Sequence, residues 1–201
     1  MKKKDLEMAL QKVKPFQEPK ADLEQYITPA AIAADMLYSA YVQGDIADKK
    51  VLDLGCGTGM LAIGASLLGA SEVIGLDIDD QALHVAEENA RQLGAEVRLL
   101  HMKINEFQEK VDTVVMNPPF GAQRRHADRP FLEKALGSAS VIYTLHLAET
   151  REFVESLIRS NDASGEVQKR YKFEIPHTFA FHKKAKKDVE VILFRVQTSQ
   201  H

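Results

Sequence analysis

Residues 49–69, KKVLDLGCGTGMLAIGASLLG, pass from an apolar run through alternating glycines into a segment of helical period. That passage constrains the fold more than any other feature. KKVLDLG (49–55) reads as a short strand buried on both faces, because strands covered by helices on either side are continuously apolar. MLAIGASLLG (60–69) reads as a helix ended by Gly69. The rhythm then repeats. EVIGLD (72–77) is a strand and DQALHVAEENARQLG (80–94) a helix ended by Gly94. EVRLLH (96–101), VDTVVMN (111–117) and ASVIYTLH (139–146) are further strands, with helices expected near 129–138 and 148–160. Such alternation makes an α/β fold: a doubly wound, mostly parallel sheet with helices on both faces. EVQKRYKFEI (166–175) and VEVILFRV (189–196) have no helix between them and read as an antiparallel pair at the sheet edge. Residues 4–14 and 29–43 carry helical spacing. The expected organisation is one domain over 1–201, with a helical segment at 1–45 and a Rossmann-like core at 46–201.

The rest of the chain narrows the class. The net charge of −3 argues against coating nucleic acid through bulk charge and leaves room for local basic patches. The start, MKKKDLEMALQK, is positive but lacks an apolar core and cleavage site, so a cytoplasmic protein is expected. No apolar run is long enough for a membrane span. One cysteine, Cys56, excludes an intrachain disulfide. The seven histidines show no metal-site spacing, so no metal is expected.

DLGCGTG (Asp53 to Gly59) follows a strand and opens a helix, the position of the ligand crevice in a doubly wound sheet. Gly55, Gly57 and Gly59 let the backbone turn sharply and approach a ligand. The spacing is G-x-G-x-G, not the G-x-G-x-x-G of dinucleotide binders. The leading acid, Asp53, suits a cationic ligand better than a phosphate. Asp77 ends the second strand, where a carboxylate can accept both ribose hydroxyls of an adenosine. A strand–turn–helix whose glycines serve only the turn is the plain alternative. Cys56 inside the loop reads as a small filler; a nucleophile would need a base, and the sequence places none beside it.

These residues resemble the class I S-adenosylmethionine-dependent methyltransferases, a family with a seven-stranded sheet and an antiparallel final strand. The resemblance implies S-adenosyl-L-methionine as cofactor. Asp53 and the glycine loop would hold its amino-acid end, and Asp77 with the adjoining Ile78 its ribose. An acid or amide after the third strand often takes the adenine N6. Here the candidates are Lys103, which cannot accept a hydrogen bond, and Asn105, or else a backbone group.

At the end of the fourth strand stands NPPF (117–120). Attack on a methyl sulfonium requires an exocyclic NH₂ to become more like an sp³ amine. Two acceptors aimed at its protons draw it that way: the Asn117 side-chain carbonyl and the Pro118 backbone carbonyl. Pro118 and Pro119 fix φ and hold those carbonyls still. Phe120 offers a stacking face, worth about 1–3 kcal/mol per base, and Gly121 lets the chain turn away. The plain alternative is an Asn-Pro-Pro turn that closes a strand. The [ND]-PP-[FYW] pattern is shared by enzymes that methylate adenine N6, guanine N2, cytosine N4 and the glutamine amide of release factors.

LEQYITP (23–29), MNPPFGAQRRHADRPFL (116–132) and HTFAFHKKAKKDVEVILFRV (177–196) resemble the methyltransferase-like protein 5 family, small RNA adenine-N6 methyltransferases acting on small-subunit ribosomal RNA. The likeness runs from about residue 20 to 196. It implies that Gln25, Tyr26 and Thr28 fold over the cofactor. Thr28 can also be a helix N-cap with Pro29 at the first helical position. It further implies a small zinc-binding activator protein that adds a strand to the sheet. Two basic clusters fit an RNA partner: Arg124, Arg125 and Arg129 after NPPF, and Lys169 to Lys187 with seven Lys or Arg against one acid, Glu174. Within the second, Phe181, His182, Lys183 and Lys184 are candidate RNA contacts; Phe181 is equally readable as a stacking or a core residue. His126 reads as a surface loop residue. The competing functions are methylation of another planar nitrogen (guanine N2 in RNA, or a protein glutamine amide) and a non-catalytic, cofactor-binding role in ribosome assembly.

Overall fold

The computed structural model describes residues 1–121, 126–176 and 186–199. Seven strands form a single sheet: β1 (Lys50–Leu54), β2 (Glu72–Asp77), β3 (Arg98–His101), β4 (Val111–Met116), β5 (Ala139–Leu147), β6 (Ala163–Pro176) and β7 (Lys186–Thr198). Their order is β3-β2-β1-β4-β5-β7-β6. The first five are parallel, and β7 is inserted antiparallel between β5 and β6. The chain runs outward from β1 to β3 and returns at β4, so the sheet has its crevice at the carboxyl ends of β1 and β4.

Six helices complete the fold: α1 (Lys3–Leu10), α2 (Ala30–Val42), α3 (Met60–Leu67), α4 (Asp80–Leu93), α5 (Arg129–Ser138) and α6 (Arg151–Ser160). The sheet separates two apolar cores. In one, Leu6, Leu10, Met36, Leu37 and Ile63 of α1 to α3 meet Val51, Val73, Val115 and Leu193. In the other, Leu132, Ala135, Val154 and Ile158 of α5 and α6 meet Leu52, Ile74, Val114, Met116 and Phe194. Val51 and Leu52, or Val73 and Ile74, are adjacent in sequence and enter opposite cores, which is why these strands read as unbroken apolar runs.

The expected elements are all present, with shifted ends. The first helix stops at Leu10 rather than 14, and β3 begins at Arg98 rather than 96. Thr28 is not the N-cap of α2: that place is taken by Pro29, with Ala30 the first helical residue. The threonine hydroxyl is engaged elsewhere, as described below. Within the 1–45 segment, α1 and α2 are part of the first core; what lies over the crevice is the irregular stretch between them. No helix among the described residues is long and apolar enough to cross a membrane.

A buried polar cluster locks the late strands in register. Tyr143 of β5 lies opposite Arg195 of β7. The Tyr143 hydroxyl donates to Asp45 Oδ2 at 2.7 Å, and Arg195 Nε and Nη2 each reach that oxygen at 3.0 Å. The Thr113 hydroxyl donates to the Asp45 backbone carbonyl at 2.6 Å, bringing in β4. Burial, then the Asp45 contact, pushes the Tyr143 hydroxyl well above its ordinary range. Removing one member of a buried pair leaves an uncompensated charge. Arg195→Met should therefore lower the unfolding free energy by about 3–5 kcal/mol, read from urea denaturation, and Asp45→Asn added to it should recover part of the loss.

Candidate active site

A cavity of about 610 Å³ opens where the carboxyl ends of β1, β2, β3 and β4 converge. Gly55 and Gly57 come from the loop after β1, Asp77 and Ile78 from the end of β2, Met102 to Ile104 from after β3, and Asn117 and Pro119 from after β4. Leu23 to Tyr26 cover it from the N-terminal segment, and Arg129 to Phe131 close it from the start of α5. Its size falls within the about 300–1,000 Å³ usual for small-molecule sites.

The glycine loop is held by its neighbours. Gly55 and Cys56 donate their backbone N–H groups to the Leu76 carbonyl at 2.8 and 2.9 Å. Asp77 accepts from Gly57 N at 2.8 Å through one oxygen and from Asp79 N at 2.9 Å through the other. Gly55 and Gly57 have φ of +79° and +51°, a region that favours glycine. Space dictates the same choice: a Cβ on Gly55 would stand 2.9 Å from the Phe131 ring, and one on Gly57 2.7 Å from Phe16. Gly59 does not line the cavity; a Cβ there would press on Ile63 and Ala86, so it serves the packing of α3 against α4.

Asp53 is almost wholly buried and, among the described residues, takes a single hydrogen bond, from Ala62 N at 2.8 Å. Burial raises its pKa to about 8, and burial likewise raises that of Asp77. Among the described residues no lysine or arginine forms an ion pair with either acid. Asp53 borders a narrow recess shared with Gly55, Gly57 and Asn117. A buried carboxylate without a counter-ion there is a receptor for a cation. Cys56 is buried, and burial pushes its thiol well up, so it is a neutral filler.

Asn117 donates from Nδ2 to Thr28 Oγ1 at 3.0 Å, while its Oδ1 is buried and has no hydrogen-bond partner among the described residues. A buried acceptor left unpaired costs about 1–3 kcal/mol, and this one belongs to a side chain that lines the cavity. Phe120 and Pro118 are buried but do not line the cavity; the Phe120 ring packs 5.4 Å from Tyr26 at a tilt of 32°. Of the expected cofactor residues, Gln25, Tyr26, Asp77 and Ile78 line the cavity, and Thr28 and Asp53 border the recess. Asn105 does not: it is exposed, and its carbonyl faces Gln108 Nε2, so the backbone and side chains of Met102 to Ile104 form that wall instead. His126 is no free surface residue. It lines the cavity, with its ring 4.1 Å from Phe153.

Several residues of the site escaped the sequence reading. Buried Glu24 accepts from Gly121 N at 3.1 Å. Asp79 caps α4 and receives Lys20 and Gln25. Behind the α5 wall, His146 Nδ1 lies 2.8 Å from Asp128 Oδ2 and its Nε2 2.9 Å from Thr144 Oγ1, all buried. No motif marks these pairs, which join residues distant in sequence. Arg124, Arg125, Phe181, His182, Lys183 and Lys184 lie outside the described residues. In the described part of the basic hairpin, Lys169 is tied to Asp35 at 2.6 Å and Arg170 to Glu190 at 3.0 Å. Arg129 is paired with Glu133 at 2.8 Å.

A family profile described as ribosomal protein L11 methyltransferase (PrmA) matches residues 34–118. An Escherichia coli ribosomal protein L11 methyltransferase is 45% identical over 85 residues, which is 41% of this chain and 29% of the other. The rRNA N(6)-adenosine-methyltransferase METTL5 of Danio rerio is 37% identical over 97% of this chain and 98% of its own, and the Drosophila melanogaster relative of that name 36% over 98% and 97%. A crystal structure of a candidate RNA methyltransferase from Pyrococcus horikoshii superposes with a TM-score of 0.92 at 44% identity, covering 98% of both chains.

The raised pKa of Asp53 has a definite sign. Its protonated form is the one the fold favours, so burying it costs little below about pH 4 and progressively more up to about pH 8. Ligand-free protein should lose thermal stability across that window, and Asp53→Asn should flatten the loss. Melting curves at pH 5 and pH 8 measure it.

Proposed function

Because the chain belongs to the methyltransferase-like protein 5 family, we propose that it transfers a methyl group from S-adenosyl-L-methionine to the exocyclic N6 of an adenine in small-subunit ribosomal RNA. The observation that carries this reading is the Asn117 side-chain carbonyl oxygen, buried and without a hydrogen-bond partner among the described residues, on a residue that lines the same cavity as Gly55, Gly57 and Asp77. An NH donor is the complement of such an atom.

The residues fit the donor. S-adenosyl-L-methionine, when bound, supplies a methyl group on a positively charged sulfur. Asp53 and the backbone of the glycine loop would hold its cationic amino-acid end. Asp77 has its oxygens on Gly57 N and Asp79 N, and each retains a lone pair for a ribose hydroxyl. Asn117 Oδ1 would accept one N6–H of the target, and the Pro118 carbonyl, whose residue is buried behind the cavity wall, would accept the other once the base displaces that wall. That pairing weakens delocalisation into the ring and turns the nitrogen lone pair toward the donor. As the N–C bond formed, the donor's S–C bond would break to leave a neutral thioether, and the surplus N6 proton would then pass to water, so no strong base is required, and orientation and fixed dipoles carry the rate. Arg124, Arg125 and the 181–184 stretch are assigned to RNA phosphates and to the extruded base.

Methylation of a protein substrate is the competing reading. Its support is the match to ribosomal protein L11 methyltransferases, which is confined to the cofactor half of the chain. We also assign a small zinc-binding activator to the outer edge of β3, which ends the sheet with Leu99 and Leu100 half-buried. The other edge, β6, carries Lys169, Arg170 and Lys172, charges that discourage strand addition.

Incubated with ribosomal RNA and donor, the protein should yield N6-methyladenosine by mass spectrometry. Asn117→Ala should cut turnover about 10²–10³-fold while leaving calorimetric donor binding within a few-fold of wild type. Methyl on guanine N2 or on protein would replace the reading, and full cellular function of Asn117→Ala would favour the scaffold role.

A further inference from the structure

Within the stretch Glu24 to Thr28, four residues divide their contacts between the two halves of the site, while Ile27 packs on the core. Glu24, Tyr26 and Thr28 face the acceptor motif. Glu24 Oε2 accepts the Gly121 N–H at 3.1 Å, the Tyr26 ring lies 5.4 Å from that of Phe120, and Thr28 Oγ1 accepts from Asn117 Nδ2 at 3.0 Å. The first and last residues of N-P-P-F-G are thus both hydrogen-bonded to one strap, with the aromatic between them packed on it. Gln25 faces the other way. Its Nε2 donates to Asp79 Oδ2 at 2.7 Å, and its Oε1 accepts from Lys20 N at 2.8 Å. Lys20 Nζ holds the second Asp79 oxygen at 2.7 Å. Asp79 N in turn donates to Asp77, whose other oxygen holds Gly57 of the cofactor loop. The strap begins with Glu24 at φ +49°, a conformation that persists only where surrounding contacts impose it. Glu24, Gln25 and Thr28 are all buried.

We propose that Glu24 and Thr28 are positioning residues for the methyl transfer, and that the strap sets the acceptor motif in register with the cofactor loop. The inference deepens the function proposed above and rests on it. Thr28 acts on the polarity of the site. By occupying the NH₂ end of the Asn117 amide, it leaves the carbonyl end for the target. Without an acceptor at position 28, the amide can turn over and oppose an N–H donor with its own N–H. Glu24 acts on the other end of the motif, fixing the Gly121 amide so that the turn after Phe120 keeps its place. Gln25 couples both to Asp79, so donor-side and acceptor-side geometry share one element.

The test is steady-state methylation of ribosomal RNA by Thr28→Val, Thr28→Ser, Glu24→Ala and Glu24→Gln, with donor binding measured by calorimetry. Valine matches threonine in shape but cannot accept. Thr28→Val should lower kcat roughly 10–100-fold with donor KM and Kd within about threefold. Thr28→Ser and Glu24→Gln, which keep an acceptor oxygen, should stay within about threefold of wild-type kcat. The Asn117 side-chain amide resonances give a readout free of turnover: Thr28→Val should shift them and speed their hydrogen exchange, and Thr28→Ser should not. A Thr28→Val protein with wild-type kcat, or an Asn117 amide signal that does not move, overturns the proposal. So does an effect confined to donor KM, which would make the strap a cofactor cover alone. Wild-type protein that methylates no adenine sinks the proposed function instead, and the amide signal still decides the strap.

Discussion

The carboxylate of Asp77 is the joint on which the site depends. One oxygen holds the glycine loop through Gly57 and the other holds the start of the next connection through Asp79. Those two backbone segments leave neighbouring parallel strands whose pairing ends there. Without a common acceptor, each would present an unsatisfied N–H to a poorly hydrated crevice, at a cost comparable to the hydrogen bond itself. The acid is half-buried, and burial raises its pKa. A group already fixed by two donors needs no reorganisation to accept a further hydrogen bond, which is the physical content of a preformed site.

Two kinds of acceptor stand in one cavity, and their difference orders the chemistry. Asp53 and Asp77 are potential anions, suited to the cationic and polyhydroxylated ends of the donor. Asn117 is neutral. A carboxylate in its place would bind a planar NH₂ more strongly, but it would also bring a third buried negative charge toward two acids whose burial already raises their pKa values. A neutral carbonyl accepts the N–H without that penalty. The transferred group brings the positive charge, so the protein's part at this end is aim rather than ionisation.

Most of the fold was legible because its central strands β1, β2 and β4 are buried on both faces and α3 and α4 run up to glycines. Both signals are local. The glycine loop, Asp77 and the Asn-Pro-Pro-Phe stretch were legible for the same reason. What stayed hidden was pairing across distance. Glu24 with Gly121, Gln25 with Asp79, and Asp128 with His146 join residues 97, 54 and 18 positions apart. Ordinary polar residue types carry no mark of such partners. Thr28 shows how a local rule can mislead: a threonine before proline at a helix start is a good cap by propensity, yet the helix begins later and its hydroxyl serves Asn117. Asn105 is a similar case: residue type suggested an adenine contact, and the short turn at 104–106 leaves its side chain exposed and off the cavity wall.

The distribution of likeness along the chain follows the same division. The segment matched by the L11 methyltransferase profile, 34–118, holds α3, β1, β2 and the two acids, the parts that any user of this donor requires. It leaves out Glu24 to Thr28, Phe120 and Gly121, the α5 wall at Arg129 to Phe131, and the basic hairpin. Of these, Glu24 to Tyr26 and Arg129 to Phe131 line the cavity, and Thr28 and Gly121 are hydrogen-bonded across it, to Asn117 and Glu24. A cofactor module can be shared among enzymes with different acceptors only if the acceptor machinery is added at its margins. Here the additions come from both ends of the module and meet over its crevice. A strap preceding the shared segment grips a motif that straddles its end, a contact that the shared module by itself does not contain.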